Sequence, residues 1–267
     1  MTCSCDIESI KKRLSEVEMW ISPESLNDIY TSDYWNNDEI EKNKEFWISD
    51  GNYEKCQKYL ETAGLVNEWS YVEEYISRNI KNKTQLQIAD IAAGIGWTTA
   101  LLSKLDIVQS VYATEISQPR LIELFPYAIH MPKGNPEKIK RYLGSFYDLV
   151  GFKSESIDVV FMSQAFHHAD QPLKLLVESD RILKKNGTLI LMGENLIKFS
   201  TKIRRVISIL LKEKRISFNY FDLIPPNNIT GDHFYRVSDY YLVFQLMGYK
   251  VTHRIVDRRS LIIFAVK

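Results

Sequence analysis

The stretch Asp90–Trp97, DIAAGIGW, follows the apolar run LQIADI and precedes TTALLSKLD. A strand that turns sharply into a helix accounts for it. Gly94 and Gly96 supply positive φ and let a ligand approach the backbone closely. At the carboxyl end of a first parallel strand, such a turn points to a nucleotide or nucleoside ligand. The third glycine of a dinucleotide fingerprint would fall at Thr99 and is absent, which argues against a pyrophosphate on the helix N-terminus and against a regular dehydrogenase. The next strand, SVYATE, ends in Glu115, 19 residues after Gly96. A carboxylate there can accept hydrogen bonds from both ribose hydroxyls and would repel a 2′-phosphate.

Outward from this turn the pattern alternates. Helix is expected at 65–80, strand at 86–91, helix at 97–105, strand at 109–114 and a short helix from Pro119. Strands follow at 139–143 and 157–162, then helix 171–184 and strand 187–193. After an excursion over 197–236 come helix 237–247 and strands 249–257 and 260–266. Alternating strands and helices predict a mainly parallel sheet covered on both faces. The last two strands, joined by DRRS, are too close for a crossover and form an antiparallel hairpin. Pro126, Pro132 and Pro136 in FPYAIHMPKGNPEK forbid a continuous helix over 125–138. There is no internal repeat.

Residues 1–65 read as a helical and irregular N-terminal segment, with helical spacing through Ile7, Ile10, Leu14, Val17 and Ile21. Ser22 and Pro23 mark a second helix start. From Glu24 to Glu54 nine acids stand against two lysines, interleaved with Tyr30, Tyr34, Trp35, Phe46, Trp47 and Tyr53. So many rings must bury area, either against the main domain or as a lid. The expected organisation is a lid over 1–65 and a main domain over 66–267 carrying a cap at about 197–236.

The chain has 267 residues, 45% apolar and 25% charged, with 34 basic and 34 acidic side chains. That suits a globular protein with a sizeable core and lacks the basic excess of a dedicated nucleic-acid binder. No apolar run approaches the roughly 18 residues of a membrane span. The N-terminus lacks a signal peptide's apolar core, so a cytoplasmic location is expected. Cys3, Cys5 and Cys56 offer neither a disulfide framework nor a zinc set.

Residues 85–195 resemble the class I S-adenosylmethionine (SAM)-dependent methyltransferases, in the broad group acting on small molecules. IADIAAGIG is similar to the family's first motif, with Asp90, Ala92, Gly94 and Gly96 in register. YATEIS is similar to the second. SIDVVFMSQAFHHADQPLKLLVESDRILKKNGTLILMGE matches the region of the fourth and fifth strands. The resemblance implies a Rossmann-like sheet of seven strands ending in the antiparallel hairpin, with SAM as cofactor. It further implies Glu115 on the ribose, Ile116 beneath the adenine, and Ser145 and Phe146, in GSFYDL, near the adenine amino group. Ser145 stands where the family usually has Asp. Gln164 and Phe166 are expected at the methionine end.

Catalytic candidates are His167 and His168, after the fourth strand where such folds place the ligand crevice, and His233 in TGDHFYR. The alternative for the His pair is to order a loop before a helix capped by Asp170. Glu194, Tyr235 and Arg236 are acceptor-binding candidates. His130 and His253 read as structural. No metal set can be assembled from sequence. In the excursion, KFSTKIRRVISILLKEKR has seven Lys or Arg and one Glu, with an apolar stripe through Ile203, Val206, Ile207, Leu210 and Leu211. It is a solvated helix, or a contact for an anionic acceptor or a membrane surface.

The leading expectation is methyl transfer to a small-molecule acceptor, a hydroxyl of a sugar, surface-polysaccharide precursor or secondary metabolite. The alternatives are an RNA or DNA methyltransferase, or a non-catalytic SAM-binding protein of the same fold. Against nucleic acid, the Asn/Asp-Pro-Pro-aromatic turn of exocyclic amine methylation is absent after the fourth strand. The partner expected is a small acceptor, with no nucleic acid, no membrane span and a homodimer possible.

Overall fold

The computed structural model describes residues 6–31, 53–80, 85–197, 199–226, 231–258 and 260–267. Its frame is the sheet. β1 (Val17–Met19), β2 (Leu86–Ile91), β3 (Val108–Glu115), β4 (Ile139–Leu143), β5 (Ile157–Ser163), β6 (Leu183–Asn195), β7 (Lys250–Val256) and β8 (Ser260–Val266) lie in the order β1-β4-β3-β2-β5-β6-β8-β7. β1 to β6 run parallel, and β8 is antiparallel to both β6 and β7. The order reverses between β2 and β5. That is the topological switch point, where the carboxyl ends of the strands open a crevice.

Strand periodicity decides which side chain faces which helix layer. Ile88 of β2, Phe161 of β5, Ile190 of β6 and Ile262 of β8 face one layer, which includes Trp69, Val72 and Ile76 of α4 (Leu65–Asn79). Ile91, Val160, Leu189 and Ile263, an odd number of residues away on the same strands, face α7 (Pro172–Ile182) and α10 (Val237–Leu246). Apolar residues at both parities are the mark of a sheet buried on both faces.

One sequence expectation is corrected. The sheet has eight strands among the described residues, not seven. The extra one, β1, lies inside the segment read as helix up to Ile21. α1 (Ile7–Arg13) ends at Leu14, whose backbone turns extended. Arg141 then holds the following chain: its guanidinium donates to the Ser15 and Leu121 carbonyls, and its amide donates to Ser15 Oγ. Tertiary hydrogen bonds thus override a helical spacing that is only local. α2 spans Pro23–Thr31 and α3 spans Tyr53–Thr62. Tyr34, Trp35, Phe46 and Trp47 lie outside the described residues.

The break expected in FPYAIHMPKGNPEK is present. A π-helical turn, Arg120–Leu124, runs into α6 (Phe125–His130), which stops at His130, so no continuous helix spans 125–138. Pro126 sits in the first turn of α6, where a missing N–H costs nothing. Pro136 starts a separate 3-10 turn, Pro136–Lys138. The excursion holds α8 (Phe199–Glu213) and α9 (Tyr220–Leu223), which share a small core of Ile209, Leu223 and Ile224. No helix among the described residues is long and apolar enough to cross a membrane.

Candidate active site

At the switch point, β2 ends in the loop Ala92–Gly96 and α5 (Trp97–Lys104) begins. Three loop residues have positive φ: Ala92 at 54°, Gly94 at 57° and Gly96 at 87°. The two glycines differ in what surrounds them. A Cβ on Gly96 would lie 2.2 Å from the Phe125 ring, whereas one on Gly94 would meet nothing within 4 Å. Gly96 therefore packs against the fold, and Gly94 borders open space.

Glu115, at the end of β3, clasps this loop from below. Its Oε2 accepts from the Gly94 amide at 2.8 Å, and its Oε1 accepts from the amides of Ile116 at 2.9 Å and Ser117 at 2.8 Å. Asp90 is fully buried beneath the loop. Its Oδ2 accepts from the hydroxyls of Thr98 at 3.0 Å and Thr99 at 2.5 Å, while Oδ1 has no hydrogen bond. Burial pushes the Asp90 carboxyl up to about 7, against the two threonine hydrogen bonds. After β4, Ser145 Oγ accepts the Tyr147 amide at 3.1 Å, and the Phe146 and Tyr147 rings meet edge to face.

The second half of the site is built at the ends of β5 and β6. Gln164 turns the chain with φ 51°, and a 3-10 turn, Phe166–His168, follows. In β6 the register with β8 shifts between Leu191 and Glu194, with Gly193 at φ 77°. Such bulges re-aim a side chain next to active sites. Here Glu194 is the side chain placed, with no exposed surface. Its Oε2 lies 3.2 Å from His167 Nδ1 and accepts from the Tyr240 hydroxyl at 2.8 Å. Burial disfavours charge on His167, but the hydrogen bond to Glu194 and the charges of Glu194 and Asp232 together hold its pKa above the usual imidazole value.

The loop before α10 closes this end. His233 N–H donates to the His167 carbonyl at 2.7 Å, and His233 Nε2 lies 2.9 Å from Asp170 Oδ1. Asp170 thus orients His233 instead of capping α7, whose N-cap is Gln171. Tyr235 packs over Phe166 with ring centroids 5.7 Å apart and donates to the Ala169 carbonyl at 3.3 Å. Burial pushes its phenol up to about 12. Phe166, His167, His168, Glu194, His233 and Tyr235 are therefore brought together. Arg236 is turned aside: its guanidinium binds Asp239 at 2.7 Å and lies over the Tyr220 ring. His253 bonds Tyr241, away from this cluster.

Asp232 and Tyr240 join the cluster without having been singled out in the sequence, and Asp170, read there as a helix cap, joins it as the partner of His233. Asp232 had one signal, its place beside His233 in TGDH, but periodicity does not fix the path of a loop. Tyr240 reads only as an apolar position of a helix.

Residues 89–191 match the sequence profile of a family described as a methyltransferase domain. No protein of curated function matches the chain. Among solved structures, a SAM-dependent methyltransferase from Aquifex aeolicus superposes with TM-score 0.50 at 16% identity, over 73% of this chain and 88% of the other. The YcgJ protein from Bacillus subtilis gives 0.52 at 12% identity, over 74% and 98%. A chain of the Haloferax volcanii complex between the Trm112 methyltransferase activator and a methyltransferase gives 0.53 at 17% identity, over 83% and 95%. Identities this low show the fold alone. Residues 89–191 are thus similar to a methyltransferase domain, and the sheet has the fold of the solved SAM-dependent methyltransferases, which implies SAM as the cofactor. The residues present fit it: Asp90 Oδ1 is a buried acceptor in need of a donor, and Gly94 leaves room for a ligand against the backbone.

Proposed function

We propose that this chain methylates a hydroxyl of a small polar acceptor, such as a sugar, a surface-polysaccharide precursor or a secondary metabolite. When bound, the cofactor supplies an electrophilic sulfonium methyl group; the protein supplies alignment, dryness and a place for the proton. Glu115 would accept the ribose hydroxyls, and the loop Asp90–Gly96 would pass beneath the methionine portion, with Ala92 and Gly94 nearest. Ile116, Ser145 and Phe146 would frame the adenine. Gln164 and Phe166 would bound the methyl group, with Glu194 and Tyr235 on the acceptor side.

The observation that carries the hydroxyl reading is the His233–Asp170 pair at 2.9 Å. An alcohol loses its proton as it takes the methyl group, and a carboxylate-oriented imidazole is suited to receive it. The bond through Nε2 leaves Nδ1 as the nitrogen that takes the proton, while Asp170 holds the imidazolium formed. His167 is locked by Glu194 and Tyr240 and positions the loop; His168 lies at its mouth.

The test measures S-adenosylhomocysteine binding and turnover, on a panel of sugar and phenolic acceptors, for wild type and His233→Ala. Binding is expected to stay within two-fold, while kcat falls by about 10²–10⁴, the usual worth of a general base. Equal turnover by the variant would sink the base assignment. Turnover only on amines or nucleic acid would sink the hydroxyl reading.

A further inference from the structure

His167, His168 and Asp232 converge at the mouth of this site. His168 Nδ1 lies 3.1 Å from Asp232 Oδ1, and His167 Nε2 lies 3.9 Å from the same oxygen. All three donor atoms fall within 4.8 Å of one another. The 3.1 Å approach is not a hydrogen bond: His168 Nδ1 is buried and has no aligned partner. Ligands about 2.1 Å from a common cation are separated by about 3.0 Å at a right angle and about 3.4 Å at the tetrahedral angle. The His168–Asp232 pair has that spacing at 3.1 Å, while the His167–Asp232 pair, at 3.9 Å, has to close slightly for the three to share an ion.

A second feature points the same way. Metal-ligating histidines hand their other ring nitrogen to a carboxylate, which fixes the tautomer and the ring orientation. His167 does so. Its Nδ1 is held 3.2 Å from Glu194, itself fully buried and fixed by Tyr240, so that Nε2 faces Asp232. The bulge at Gly193 places Glu194 for this contact.

We propose that His167 Nε2, His168 Nδ1 and Asp232 bind one first-row divalent transition-metal ion. Two imidazoles with one carboxylate suit zinc, iron, cobalt or nickel over magnesium or calcium, which take oxygen ligands. Three protein ligands leave positions open, as catalytic sites do. The ion would hold the acceptor's oxygen and make its hydroxyl more acidic, next to His233. That role rests on the methyl-transfer reading; the site itself does not.

The test uses the full chain stripped with a chelator. Zn²⁺ is titrated by calorimetry, Co²⁺ by its visible absorption, and Mg²⁺ serves as comparison. One equivalent of Zn²⁺ and of Co²⁺ is expected, with Mg²⁺ much weaker. His168→Ala and Asp232→Asn should each lose at least ten-fold in affinity, and Glu194→Gln about 10–100-fold, the usual effect of a lost outer partner. His253→Ala should bind as wild type does. Circular dichroism of each variant separates lost binding from lost folding, and Asp232, on a loop, can change without disturbing the core. Absence of stoichiometric binding by wild type, or wild-type affinity in both His168→Ala and Asp232→Asn, overturns the proposal. Stoichiometric binding without any methyl transfer would keep the site and remove only its role.

Discussion

The Gly94 amide donates to Glu115 Oε2 at 2.8 Å, so the residue expected to hold the ribose also ties down the loop that faces it. Three amides already bond this carboxylate, out of about four acceptor sites that such a group offers. One ribose hydroxyl can therefore be accepted freely, and a second displaces an amide. Glu115→Ala should weaken S-adenosylhomocysteine binding at least ten-fold, equivalent to about 1.4 kcal/mol. Glu115→Gln keeps the volume but turns one acceptor into a donor. It leaves an amide unpaired, at about 1–3 kcal/mol of stability. Calorimetry on both variants, beside chemical unfolding, checks this; binding by Glu115→Ala equal to wild type would remove Glu115 from the cofactor site.

Gly94 and Gly96 make opposite demands, and alanine separates them. Gly94→Ala costs about 1–2 kcal/mol for a left-handed Cβ, meets nothing within 4 Å and puts its methyl into the space proposed for the ligand. The variant should fold and lose cofactor binding. Gly96→Ala drives a methyl to 2.2 Å from the Phe125 ring. It adds overpacking of about 1–3 kcal/mol to the same backbone cost and should show the larger fall in melting temperature. Equal melting temperatures for the two variants would contradict this division.

Ala92 holds φ at 54° without being glycine. Where L-residues occupy this region they carry about 1–2 kcal/mol of strain, partly offset by the smaller entropy lost relative to glycine. Ala92→Gly should therefore raise stability by up to about 1 kcal/mol, near 2 °C for a chain of this size. If differential scanning fluorimetry shows a lower melting temperature, the methyl of Ala92 contributes packing that outweighs the strain.

The sheet was legible where sequence forces were strong and local. Gly94 and Gly96 mark the turn, the apolar runs mark β2, β5 and β6, and DRRS requires a hairpin. β1 was not legible, because three residues, VEM, become a strand only through Arg141 and the edge of β4. The same division holds for the site. His167, His168 and Glu194 follow predicted strands and could be placed. Asp232 comes within reach only through a loop tied back by the His233 amide to the His167 carbonyl, a contact between residues 66 positions apart. Glu68 was invisible for another reason: in LVNEWSYVEEY it reads as one more polar position of an amphipathic helix.

Glu68 gives the fold a pH dependence of unusual sign. It sits on α4 with no exposed surface, and neither carboxyl oxygen makes a well-aligned hydrogen bond. Burial pushes its carboxyl from 4.5 up to about 7, with Ser260 opposing and the charge of Glu194 adding. The unfolded chain therefore releases this proton near pH 4.5, and the folded chain near 7. Between those values the native state binds more protons than the unfolded state, so stability falls as pH rises and levels off above about 7. The difference corresponds to about 3 kcal/mol at neutral pH and above. Glu68→Gln keeps the shape and removes the charge. It should match wild type below about pH 4.5 and exceed it by up to about 3 kcal/mol at pH 8. Urea unfolding of both proteins at pH 4.5, 6 and 8 measures the difference. An advantage that fails to grow with pH would mean that Glu68 is stably charged in the native state, paired with a cation or with water.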